Sequence, residues 1–255
     1  RYAAGRWLDA ASIPADLGNL DGIAVLTKQV DRQVSALIAD AVAASPSATK
    51  GSPLQQVGDH YAAGMDIQRL ESLGFTPMQP VWDRIAKIDG PKALAEEMAR
   101  LTMLTNHAVF LDVEVTVALK DPSRYVILAS DPELALPAQE HYLAADLAPV
   151  RAAYLQAITD SLVLAGVPAQ QAQARAAKVL AIETRIAGKK LTEEQKRDFN
   201  ATYETRPYAD VKAALGNFDL DAYFHALGLP TGGELLTTEV DALRERNGVL
   251  ADYPL

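Results

Sequence analysis

Apolar residues recur along most of this chain at intervals of three and four, and in one place they alternate strictly. From Val109 to Leu119, Val109, Leu111, Val113, Val115, Val117 and Leu119 alternate with Phe110, Asp112, Glu114, Thr116 and Ala118. A period of two puts the two sets on opposite faces of a β-strand. Lys120, Asp121, Pro122 and Ser123 interrupt it, because proline has no N–H and aspartate and serine favour turns. Tyr125 to Ala129 then runs back. The pattern predicts a β-hairpin over about 108–130, the one sheet-like element of a mainly α, multi-helix chain.

Elsewhere the period is helical. Ile23, Leu26, Val30, Val34, Leu37 and Ala41 form one stripe, broken by the proline- and serine-rich stretch 45–53. Leu54, Val57, Tyr61 and Met65 resume it, and Gly74 ends the next turn. Pro77 and Pro80 frame a short helix, and Pro91 opens another that runs to about Leu104, where a missing N–H costs nothing. After the hairpin, Leu147 to Ala165 and the alanine-rich stretch 169–187 read as long helices. Thr192 with Gln195 predicts a capping box, Asp219 a helix start, and Leu236 to Leu250 a final helix.

Composition narrows the functional classes. The 255 residues are 49% hydrophobic and 22% charged, as in ordinary globular domains. Twenty-four basic against 33 acidic residues give a net charge of -9, which argues against a nucleic-acid partner. Without cysteine there is no thiol nucleophile, disulfide or thiolate metal ligand. No apolar run reaches the roughly 18 residues that span a bilayer. The chain begins at Arg1, and the expectation is a fragment of a larger protein.

Candidate chemistry is sparse. Zinc peptidases of the His-Glu-x-x-His type put two histidines on one helix face at i and i+4. The four histidines, His60, His107, His141 and His225, nowhere adopt that spacing, so no metal site is expected in this chain. Phosphate-binding glycine loops and Gly-x-Ser-x-Gly are missing as well. Asp112 and Glu114 read as a solvated strand face. Lys189, Lys190, Glu193 and Glu194 read as loop and helix-start charge, and Trp7 as a core anchor.

Several motifs nevertheless coincide. The hairpin leads into Leu134, Leu136, Pro137, Tyr142 and Leu143, the spacing Leu-x-Leu-Pro-x-x-x-x-Tyr-Leu. Tyr2, Gly5, Trp7, Leu8, Ile13 and Pro14 open the chain; Tyr61, Met65 and Asp66 follow; Ile182, Glu183, Ile186 and Ala187 close a helix. Together these resemble the N-terminal, mainly helical lobe of the neprilysin family of zinc metallopeptidases, with Ala135 in place of a glycine and His141 in place of a tyrosine. The resemblance implies that residues 1–255 form a single helical domain, one lobe of a two-lobed peptidase. Its zinc would lie in a lobe downstream. The implied role is non-catalytic gating and binding of a peptide substrate, against the zinc lobe of the same polypeptide, in an extracytoplasmic setting. Counting from Ile13 and Pro14, a substrate-binding arginine of the family falls on Asn19, which keeps a hydrogen bond but brings no charge. The competing class is a helical binding or scaffold module without peptidase activity.

Overall fold

The structure, a computed structural model, describes residues 2–119 and 121–253. It divides into two compact units, Arg1–Gly74 and Phe75–Leu255.

The first unit is helical: α1 (Gly5–Ala10), α2 (Gly22–Ala44), α3 (Pro53–Met65) and α4 (Ile67–Leu73). Side-chain caps set three of the starts. Asp21 accepts from the Ala24 N–H at 2.7 Å, Ser52 from Gln55 at 3.3 Å and Asp66 from Arg69 at 3.0 Å. Gly74 ends α4 at a φ of 52°, a conformation that favours glycine. α2 and α3 approach closely at Gly58, where an added Cβ would lie 2.5 Å from the Ala41 carbonyl oxygen. The expected stripe on α2 is present, yet of its members only Ala41 is buried; Ile23, Leu26, Val30, Val34 and Leu37 are exposed. The seam with α3 is narrower than the stripe. Trp7 is also exposed, at 42%, and α1 buries nothing, so Trp7 is not the core anchor its size suggested.

The second unit begins with α5 (Gln79–Ile85) and α6 (Pro91–Thr105), followed by β1 (Asp112–Ala118) and β2 (Asp121–Ser130). Then come α7 (Gln139–Leu143), α8 (Ala148–Leu164), α9 (Ala169–Ala187) and α10 (Phe199–Thr202). β3 (Glu204–Pro207), α11 (Tyr208–Ala214), α12 (Leu220–Ala226), β4 (Glu234–Thr237) and α13 (Val240–Asp252) complete it. The fold is mainly α around a small β element, as the periodicity predicted. The capping box forms, with Thr192 N–H donating to Gln195 Oε1 at 2.9 Å and Gln195 N–H to Thr192 Oγ1 at 3.2 Å. It opens only one 3-10 turn.

The hairpin differs from expectation in three respects. First, it is not the only sheet element: four strands pair in the order β1-β2-β4-β3, with β4 parallel to β2 and antiparallel to β3. The run Leu235 to Thr237 belongs to β4, and the last helix starts at Val240. So short an apolar run has no readable period. Second, β1 starts at Asp112, because Phe110 and Leu111 are both buried and cannot alternate; Phe110 stacks on Phe218 at 4.0 Å. Third, β2 includes Pro122. The register shifts between Val117 and Ala118, which face Tyr125 and Asp121, and this bulge leaves Pro122 with no ladder bond to break. Lys120, expected in the turn, lies outside the described residues.

One face of the sheet meets the core. Val113, Ala129 and Thr237 form one cross-strand row, and Ile127 and Leu235 belong to the next. Leu111, Leu215, Leu220, Tyr223 and Phe224 pack there, essentially without solvent contact. The buried Tyr223 hydroxyl donates to the Leu111 carbonyl at 2.7 Å, which ties α12 to the entry of the hairpin. Farther out the same face carries Val115, Val117 and Tyr125, all exposed.

Candidate functional site

Where β2 ends, the chain turns at Asp131 and Pro132 over a buried charge network. The Asp131 carboxylate is solvent-free and accepts from Lys190 Nζ at 2.7 Å and from two nitrogens of Arg246. Arg246 also donates to the carbonyls of Pro132 at 2.9 Å and Val109 at 3.0 Å. Lys190 reaches the Pro132 carbonyl at 3.2 Å and Glu239 at 3.5 Å. Glu239 accepts in turn from the Leu191 N–H at 3.0 Å. It sits at a φ of 51°, left-handed space that is uncommon for a non-glycine residue. Two acids and two bases thus balance, which is the condition for burying charge. Lys190 is therefore a buried ion-pair partner and not loop charge.

The motif that follows the hairpin is fastened from the same side. Tyr142, 3% exposed, accepts from the Leu136 N–H at 2.8 Å and donates to Glu183 Oε2 at 3.1 Å. Tyr154 donates to the same oxygen at 2.8 Å. Burial first, and then the hydrogen bond and charge of Glu183, raise both phenols well above the usual tyrosine range, against the Leu136 N–H, which lowers Tyr142. Gln139 donates to the Ala187 carbonyl at 2.9 Å. Two stretches singled out in the sequence, 133–143 and 182–187, are thus hydrogen-bond partners. Their residues fasten the loop that follows the hairpin to α9.

Sequence reasoning missed Asp131, Glu239 and Arg246. One signal was available: Ala242, Leu243, Arg246 and Val249 share the buried stripe of α13, and a lone arginine there demands a buried acid.

The other candidates are dispersed. Asp112 and Glu114 are exposed on β1, and His60, His107 and His225 are exposed as well. Among the described residues no three histidine or carboxylate groups converge as metal ligands, so the residues present do not fit a zinc site. Asn19 is exposed in the irregular segment before α2, with no side-chain hydrogen bond among the described residues. The turn nearby is made at Pro14 to Leu17 instead. Asp16 pairs with Lys28 at 2.7 Å, and Asp21 caps α2.

A cavity of about 200 Å³ opens beside the charge network, where β2 and β4 end. Asp112, Ser130, Tyr203, Thr238 and Glu239 are among its walls. Comparison with known proteins then places the chain. Residues 1–255 match the N-terminal model of Peptidase family M13. The chain belongs to that family. It is 28% identical over 217 residues to endothelin-converting enzyme-like 1 of Rattus norvegicus, covering 79% of this chain and 27% of that protein. Neprilysin-2 of Caenorhabditis elegans is 29% identical over 108 residues, covering 42% and 14%. Among solved structures, zinc metalloprotease Zmp1 of Mycobacterium tuberculosis, in complex with an inhibitor, superposes with a TM-score of 0.84 at 26% identity, covering 97% of this chain and 38% of that one. The chain spans well under half the length of these relatives.

Proposed function

We propose that this chain is the non-catalytic lobe of a zinc metalloendopeptidase, gating and binding peptide substrates opposite a zinc lobe of the same polypeptide. The M13 match over residues 1–255 carries the reading. Likeness to a zinc metalloprotease of which the chain covers 38% supports it. Hydrolysis is assigned to the lobe outside these residues, since no ligand set for zinc converges among those described. In this reading residues 1–255 act together as one domain. Exposed apolar surface on α2 (Leu26, Val30, Leu37) and on the hairpin (Val115, Val117, Tyr125) supports a role in which part of the chain docks against another lobe. The reading extends to an extracytoplasmic location; no helix among the described residues is long and apolar enough to cross a membrane.

Asn19 is the proposed substrate-contacting residue. An uncharged amide there can still donate to a peptide carboxylate but lacks the opposite charge and second donor of an arginine, a difference of about 1.5–3 kcal/mol. That corresponds to roughly 10- to 100-fold in preference for peptides that end just past the cleaved bond. The experiment is hydrolysis of quenched-fluorescent peptides by the full-length polypeptide, with and without chelator, using free-acid and amidated forms. Chelator-sensitive cleavage without free-acid preference is expected, and Asn19→Arg should introduce that preference. No chelator-sensitive cleavage would overturn the peptidase reading, and a strong free-acid preference in the unmodified protein would overturn the role of Asn19.

A further inference from the structure

The sheet face turned away from the core is roofed only in part, and it forms a groove. Register places Glu114, Leu128, Leu236 and Thr205 in one row across all four strands on this face. The cavity at the strand ends shares Tyr203 with a second one, of about 450 Å³, that lies over Val126, Leu236 and Thr205. Tyr203 is the wall the two cavities share, and side by side they make a trough on this face, floored by Leu128, Val126 and Leu236 and bordered by the 191–203 segment.

Three hydroxyls in the walls have no hydrogen bond among the described residues. Thr238 is 8% exposed, and its hydroxyl has no hydrogen bond among the described residues. The half-buried Ser130 and Tyr203 likewise have no hydroxyl hydrogen bond among the described residues. Hydroxyls that open on a cavity without a protein partner are available to whatever enters it. Charge without an ion pair among the described residues is mostly acidic, Asp112, Asp121 and Glu234 against the single cation Arg124. Asp131 and Glu239 are balanced by Lys190 and Arg246, Glu204 is paired with Arg206, and Lys196 lies between Glu193 at 3.0 Å and Glu133 at 3.7 Å. Asp112 at one end and Glu234 at the other have no ion pair among the described residues. Four strands at about 4.8 Å spacing span roughly 14 Å, the reach of about four extended residues.

We infer that this trough binds an extended peptide segment carrying basic side chains, its backbone over the leucine floor and its cations toward Asp112 and Glu234. That such a peptide is also the enzyme's substrate rests on the peptidase reading above; the binding itself does not. The test uses the 255-residue chain and a fluorescein-labelled octapeptide of alternating valine and lysine, followed by anisotropy, with the valine–glutamate octapeptide as comparison. The lysine peptide should bind saturably, and Asp112→Lys with Glu234→Lys should weaken it by about tenfold or more. Glu71→Lys, exposed on α4, should leave binding unchanged. Hydrogen exchange on the unmodified chain gives a second readout, with peptide-dependent protection expected in 126–130 and 200–205. Equal binding of the glutamate peptide, equal loss in Glu71→Lys, protection confined to other segments, or self-association through this face in sedimentation would each overturn the proposal. Because the assay needs no hydrolysis, its failure is distinct from failure of the peptidase reading.

Discussion

Tyr142 and Glu183 meet at 3.1 Å across 41 residues of sequence, joining the loop after the hairpin to helix α9. Tyr142 is the only one of the two phenols on Glu183 that also holds a backbone N–H, that of Leu136. Tyr142→Phe keeps the ring and removes both bonds. The expected loss is about 1–3 kcal/mol, since the half-buried Leu136 N–H and the Glu183 carboxylate each lose a partner. Tyr154→Phe removes a single bond and should cost less. Denaturant unfolding of the two variants checks the order.

The Asp131 network predicts a larger effect. Asp131→Asn leaves Lys190 with Glu239 but Arg246 as a buried, uncompensated cation, at a cost of about 3–5 kcal/mol. Replacing Arg246 by Met together with Asp131 by Leu should be milder, because no charge is stranded: Lys190 keeps Glu239 and the Pro132 carbonyl, and the Val109 carbonyl loses the donor Arg246 gave it. Thermal denaturation of both variants decides between stranded charge and lost packing as the cause.

Two glycines on α3 should respond with opposite signs. At Gly64 an added Cβ meets nothing within 4 Å, so Gly64→Ala should stabilise by up to about 1 kcal/mol through helix propensity. At Gly58 the Cβ would run into the Ala41 carbonyl oxygen at 2.5 Å and Ser45 Cβ at 2.6 Å. Gly58→Ala should therefore destabilise by about 1–3 kcal/mol despite the same propensity gain. Hydrogen exchange of α2 and α3 amides reports both changes directly.

Alkaline pH should weaken the second unit. Tyr142, Tyr154, Tyr208 and Tyr223 are all raised, burial being the largest cause for each. A group raised in the folded state contributes stability that is full below its unfolded value, about 10 for tyrosine, and is lost as pH rises through the folded one. Stability measured by denaturant titration should fall above about pH 10, alongside the appearance of phenolate absorbance. Tyr142→Phe should make the slope shallower.

Long, regular segments were legible in the sequence. α9 runs from Ala169 to Ala187 as its alanine-rich pattern predicts, and α2, α6 and α8 lie within three residues of their stripes. The strands β3 and β4 were not. Glu204–Pro207 has no alternation to read, and Leu235 with Leu236 continues smoothly into the stripe of α13. Both are strands because distant segments supply their hydrogen bonds, and that pairing leaves no trace in local period. The charge network was hidden for the same reason: Asp131, Lys190, Glu239 and Arg246 are separated in sequence and converge only when α13 packs beside the hairpin exit. Burial on α2 was overestimated, because a stripe says that a helix has an apolar face and not that a neighbour covers all of it.

The parallel pairing of β4 with β2 fixes the order in which the sheet can be assembled. The two are about a hundred residues apart, and in the order β1-β2-β4-β3 the last strand made is an interior one. β3 has nothing to hydrogen-bond until β4 arrives between it and the hairpin. At a synthesis rate of about 5–20 residues per second, the hairpin waits roughly 5–20 seconds with one edge bare. The topology makes closure of the sheet a late insertion, slow because its contacts are distant in sequence. In pulse-labelled refolding, protection of Leu235, Leu236 and the β3 amides should therefore appear together, after that of the β1–β2 ladder; the reverse order would rule the insertion out.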